Sequence, residues 1–177
     1  MGAADIRAGL RVSIASRGAA GAFANGMADL ADELANATAI SDLGPAIRSA
    51  ARVLRADDVV LMRVDRAADS LVLVSEQHGN PPGTRWLLDD FPASRYVLDH
   101  RVPGQLVVGD VAGDPAELAE LEALGMATLL IVPIVYGGRE LAVLEIYRTL
   151  PQAFTAREVD HARALAQQFG AALDRLT

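Results

Sequence analysis

The chain contains neither cysteine nor lysine. The first absence excludes disulfides, a thiolate nucleophile, Cys-ligated zinc, iron–sulfur clusters and any thioether-linked cofactor. The second removes P-loop, Schiff-base and kinase-type lysine chemistry, and leaves all sixteen basic residues as arginine. This Ala- and Arg-rich usage suggests a GC-rich coding sequence and a bacterial source. Aromatic residues are sparse at 5%, with a single tryptophan. The longest apolar run, Leu129 to Tyr136, is interrupted by Pro133 and falls far short of the ~20 residues a membrane helix needs. The N-terminal stretch has no continuous apolar segment of the signal-peptide kind, so a cytoplasmic location is expected. Net charge is −7, with no basic stripe to neutralise phosphates, and nucleic-acid binding is disfavoured.

What is present is an ordinary globular composition, 51% hydrophobic and 22% charged, in a length that suits one domain with its own core. The pattern centres on Ala127 to Arg148, ATLLIVPIVYGGRELAVLEIYR. Gly137-Gly138 can take positive φ at both turn centres, which predicts a tight hairpin. The first arm, Thr128 to Val135, is apolar on both faces and reads as a central strand. The second arm puts Leu141, Val143, Glu145 and Tyr147 on one face and Ala142, Leu144, Ile146 and Arg148 on the other. A carboxylate in the middle of such a strand points to a polar pocket.

Upstream, Ser41 or Asp42 caps a helix with Pro45 in its first turn and Ile47, Ala50, Ala51 and Leu54 on its buried face. Val59 to Asp65 and Leu71 to His78 read as antiparallel strands, Pro92 to Leu98 as a short helix, and Gln105 to Val111 as a short strand. Asp114-Pro115-Ala116-Glu117 is a helix start, ended by Gly125. Thr155 to Glu158 is a capping box opening a helix that runs to the end of the sequence. Two stripes at steps of three and four, Phe23, Met27, Leu30, Leu34, Ala37 and Ala162, Leu165, Phe169, Ala172, Leu176, suit either helix pairing between two copies or packing on the chain's own core.

These motifs resemble those of a GAF domain, from about Ala39 to Leu176. Gly125 to Val135 is similar to the family's G…S-L-L-x-V-P-L strand, and Gly138 to Tyr147 to its G-x-x-x-G-V-L-x-L strand, with Ala142 where glycine is frequent. Phe154-Thr155 through Leu173 is similar to the F-T-x-x-E closing helix. Phe91 to Leu98 and Val107 to Asp110 resemble GAF domains attached to bacterial cyclic-di-nucleotide and phosphorelay enzymes. The resemblance implies an α+β sandwich, with an antiparallel sheet in the order 2-1-5-4-3. Long terminal helices would cover one face, and a roofed ligand cavity the other. It divides the chain into a lead-in and dimerisation helix, 1–38, and the domain, 39–177. The family's bilin attachment and sulfoxide-reductase chemistry use cysteine, and its cyclic-nucleotide signature is missing here. Haem would need His78 or His100, neither in a haem motif, so haem is disfavoured and the cofactor is unknown.

Strand parity combined with that order groups Arg63, Glu145 and Tyr147 on the cavity face, with Glu76 or Gln77 beside them, and puts Val60, Met62 and Val64 under the long helices. The alternative is a cross-strand ion pair that binds nothing. The roof supplies Trp86, Phe91, Ser94, Arg95, Tyr96 and His100, either as ligand contacts or as plugs under a loop. His78, His100 and His161 are scattered and form neither a metal set nor a catalytic group. The expectation is a sensory, non-enzymatic module. It binds an unidentified small molecule and signals through the flanking helices of a homodimer, joined by Phe23, Met27, Leu30, Leu34, Leu165, Phe169 and Leu176. The competing expectation is a ligand-free dimerisation scaffold of the same fold.

Overall fold

Gly137 and Gly138 take φ of 56° and 78°, a conformation only glycine adopts freely at two successive positions, and the tight turn they make closes the central hairpin. In the computed structural model, which describes residues 21–76, 79–110 and 113–177, its arms are β5 (Thr128–Tyr136) and β6 (Arg139–Arg148). On the free side of β6 lies β1 (Asp58–Asp65), followed by β2 (Ser70–Ser75) and β3 (Arg85–Leu87), while β4 (Gly104–Val107) flanks β5. The sheet order is β3-β2-β1-β6-β5-β4, all pairs antiparallel. Removing β3 leaves the expected five-strand order. The extra edge strand is the correction: three residues, RWL, are too short to show an alternating pattern.

Helices divide by face. Residues 21–36 form α1, followed by a 3-10 turn (Ile40–Leu43) and α2 (Gly44–Leu54). The Asp42 carboxylate accepts from the Thr38 and Ala39 amides, so it closes the turn before α2 rather than capping α2 itself. The closing helix, α5 (Ala156–Leu176), starts in the Thr155–Glu158 capping box read from the sequence. One core unites Leu30 and Leu34 of α1, Ile47 and Leu54 of α2, Leu165 and Phe169 of α5, and the sheet residues Leu61, Leu130, Val132, Leu144 and Ile146. Gly170 lets α5 lie close on β5, since a Cβ there would stand 3.2 Å from Tyr136 Cβ and 3.3 Å from Ile134 Cγ2. Arg175 donates to the Leu34 and Ala37 carbonyls, tying the end of α5 to the end of α1.

The other face carries α3 (Pro92–His100) and α4 (Pro115–Ala123) over a second apolar cluster that includes Val60, Met62, Leu71, Leu73, Ile131 and Val143. No helix among the described residues is long and apolar enough to cross a membrane.

The two apolar stripes assigned to a partner are therefore occupied within the chain. Leu30, Leu165 and Phe169 are fully buried and Leu34 nearly so. Met27 and Leu176 pack half-buried on the same core, and Phe23 stacks on His161 at 3.7 Å. The sheet offers these side chains a complete apolar surface, which isolated periodicity does not reveal. Truncating Phe169 to Ala should cost about 3–5 kcal/mol in urea unfolding, independent of protein concentration. A small or concentration-dependent loss would place that ring at an interface instead.

Candidate functional site

Antiparallel register decides which side chains share the roofed face. Val60 lies opposite Glu145 and Met62 opposite Val143, whereas Arg63 lies opposite Ala142. Val60, Met62, Glu145 and Tyr147 thus face α3 and α4. Arg63 is on the side of the long helices, in a separate groove beside Leu173 and Thr177. The expected grouping of Arg63 with Glu145 and Tyr147 is corrected, as is the placement of Val60 and Met62 under the helices. Both faces of β1 are apolar along Val59 to Met62, so hydrophobicity could not orient the strand. Its polar residues, Asp58, Arg63 and Asp65, fall toward the two ends of the strand.

A cavity of about 330 Å³ opens on the roofed face. Its floor is Val60, Met62, Leu71, Leu129, Glu145 and Tyr147. Trp86 of β3, Phe91 and Ser94 at the start of α3, and Leu106 of β4 form the wall. Glu117, Glu120, Leu121 and Leu124 close it from α4 and its end, and Glu76 and Asn80 stand beyond β2. Glu76 accepts from the Asn80 amide at 2.5 Å. Gln77 and His78 lie outside the described residues.

Glu145 is buried, 6% exposed. Its Oε2 accepts from the Tyr147 hydroxyl at 2.5 Å, and Ser94 Oγ lies 3.4 Å from Oε1. Burial drives its pKa up to about 7, against those two hydrogen bonds and with added repulsion from Glu117 and Glu120. Burial likewise pushes the Tyr147 phenol well above its usual value, assisted by the Glu145 charge. Glu117 is also 6% exposed, and both its oxygens share the Ala93 amide, at 3.1 and 3.2 Å. Burial raises its pKa too, although the Ala93 bond pulls the other way.

Five of the nine candidate ligand residues line this cavity: Trp86, Phe91, Ser94, Glu145 and Tyr147. Besides Arg63, three others lie outside it. Arg95 turns away to pair with Asp69 at 2.5 Å and Asp89 at 2.8 Å. Tyr96 is 56% exposed and stacks on the ring of His100, itself exposed, at 4.0 Å. Helix periodicity explains the split, because Ser94, Val97 and Leu98 share the buried face of α3 while Arg95, Tyr96 and His100 fall on its outer side. Sequence reasoning missed both Glu117, which read only as part of a capped helix start, and Glu120, which drew no reading. Asp114 does cap α4, through Ala116 and Glu117 N–H. The overlooked signal was Leu121, four residues after Glu117 and on the same helical face.

The GAF domain family model matches residues 43–173. The chain belongs to the GAF domain family. Among solved structures, it is similar to the GAF domain of a phosphoenolpyruvate-protein phosphotransferase from Coxiella burnetii, with 20% identity and a TM-score of 0.71, covering 86% of this chain and 93% of that one. The phycoerythrobilin-bound GAF domain of a cyanobacterial phytochrome aligns at 13% identity and TM-score 0.72, covering 88% and 96%. Free methionine-R-sulfoxide reductase from Neisseria meningitidis, in complex with its substrate, aligns at 20% and 0.67, covering 87% and 89%. At these identities the likeness establishes the fold alone. No curated protein sequence matches the chain.

The raised Glu145 pKa has a definite sign for stability. The folded state holds the proton up to about pH 7, whereas an unfolded glutamate releases it near 4.5. Stability is therefore greatest below the unfolded value and is lost as pH rises through the folded one. Glu145→Gln should abolish this loss. Between about pH 5 and pH 8 the wild type should fall relative to the variant by up to about 3 kcal/mol in urea titrations. Parallel curves would show that Glu145 is not a desolvated acid.

Proposed function

We propose that this GAF domain is a sensory module that binds a small molecule between α3, α4 and the sheet, and passes the change to its long helices. GAF domains are in general sensory or regulatory, and can bind small molecules. The observation that carries the proposal for this chain is the cavity: its volume is at the lower end of the range for ligand sites, and apolar walls surround a few convergent polar groups.

The route to the helices is β6. Glu145 and Tyr147 face the cavity, while Leu144 and Ile146, which alternate with them, belong to the core under α2 and α5. Arg148 then donates to the Leu54 carbonyl at the end of α2 and pairs with Glu158 at the start of α5. A ligand that tilts β6 by binding one arrangement more tightly shifts the helices by the same free energy, of order 1–3 kcal/mol. The proposal includes a homodimer formed through α1 and α5. Because their inward stripes are occupied, it would use outward positions such as Ala24, Ala28 and Ala31 of α1 and Gln167 and Ala171 of α5, all exposed.

A thermal-shift screen over nucleotides, amino acids and amines tests the binding. Ligand at 100 times Kd adds about 2.7 kcal/mol, or several degrees in Tm for a domain of this size. The shift should disappear in Val60→Phe, which fills the cavity floor. A screen that moves nothing in the wild type favours the ligand-free scaffold.

A further inference from the structure

We propose that the cavity takes an organic cation, an ammonium or guanidinium head on a small apolar body. This rests on the cavity being a ligand site and narrows what enters it. Four carboxylates line the space, Glu76, Glu117, Glu120 and Glu145, and among its described lining residues none is basic. The cavity is thus a ligand-sized void with one sign of charge on its walls.

Its two most buried carboxylates have acceptor capacity to spare. A carboxylate can accept about four hydrogen bonds. Glu117 has a single shared amide, and Glu145 one short bond from Tyr147 and one long contact from Ser94. An ammonium brings three donors and a guanidinium five, with no acceptor. That inventory is the complement of these two carboxylates.

The roof feature that would suit an anion is already occupied. A helix N-terminus attracts negative charge through its free amides. At α3 the Ala93 amide is bound by Glu117, so the domain's own carboxylate occupies the place an anionic ligand would take. The nearby Arg95 is held by Asp69 and Asp89 outside the cavity. An anion would instead meet two buried carboxylates, a like-charge contact in a desolvated site. Trp86, Phe91 and Tyr147 line the cavity, an aromatic surround suited to a cation with an apolar body.

Proton and ligand should compete at Glu145. The groups facing it are Ser94 on α3, Glu117 and Glu120 on α4, and Tyr147 on its own strand, none of them positive. A cation therefore binds more tightly as the carboxyl ionises.

The test uses three probes that share one body: 2-phenylethylamine, 2-phenylethanol and 3-phenylpropionate, titrated by calorimetry and protein NMR. The amine should bind at least about tenfold tighter than the alcohol, the size of one charge-assisted hydrogen bond. The propionate should not bind. Amine affinity should rise between about pH 6 and pH 8, where the amine stays charged and Glu145 loses its proton. Glu145→Gln should remove both the preference and its pH dependence, and Glu117→Gln should weaken the preference independently should the first variant not fold. Alcohol or propionate binding as tightly as the amine overturns the cation inference and leaves a ligand-binding cavity. No binding by any probe at about 10 mM, weaker than about −3 kcal/mol, overturns the cation inference, and the broader thermal-shift screen separately decides whether the cavity binds anything.

Discussion

Glu145 sits in the middle of a central strand, flanked across the sheet by Val60 on one side and Ile131 on the other, with no cation opposite it. Desolvating a carboxylate without a counter-charge costs several kcal/mol, and a core free to choose would replace it with an apolar residue. Its relief comes from one phenol two residues along the strand and one serine from the roof. The surrounding structure follows from keeping that arrangement. Tyr147 must share the face of Glu145, and α3 must begin above it so that Ser94 reaches down. The apolar floor must stop short of covering it, or the charged form would have no access to a polar environment at all.

The same economy holds in the roof. The Glu117 carboxylate is presented by the first turn of α4 but serves the first turn of α3, so one side chain fastens the two roof helices together. A bond of this type is worth about 1.5–3 kcal/mol when the acceptor is charged. A positive group entering the cavity would compete with the Ala93 amide for Glu117. The roof and the cavity therefore cannot be varied independently.

Much of the fold was legible because local signals agreed with one another. The Gly137-Gly138 turn, the Thr155–Glu158 box, the Asp114 cap and the positive φ of Gly125 after α4 all occur where sequence placed them. The cavity face of β6 was legible too, since Glu145 and Tyr147 break an otherwise apolar alternation. What could not be read was register. Arg63 is separated from Glu145 not by its own strand but by which residue of β1 meets which residue of β6, a tertiary fact with no local code. The terminal stripes failed differently: Leu30 and Phe169 have the spacing of a helix pair, but the same spacing serves any helix lying on a sheet, and the sheet claimed them.

The side chains of β6 alternate between the two faces of the sheet. Leu144 and Ile146 are locked among α2 and α5, and Glu145 and Tyr147 alternate with them, so β6 cannot rotate toward the cavity without moving both helices. Arg148 makes that linkage directional. Its guanidinium lies 3.9 Å over the Phe154 ring, bonds the last turn of α2 through the Leu54 carbonyl, and pairs with Glu158. Burial works against the Glu158 charge, yet Arg148 and Thr155 hold its pKa down to about 2, so the pair stays ionised at any physiological pH. The strand is thus clamped at one end to two helix termini and bears a buried acid at its middle.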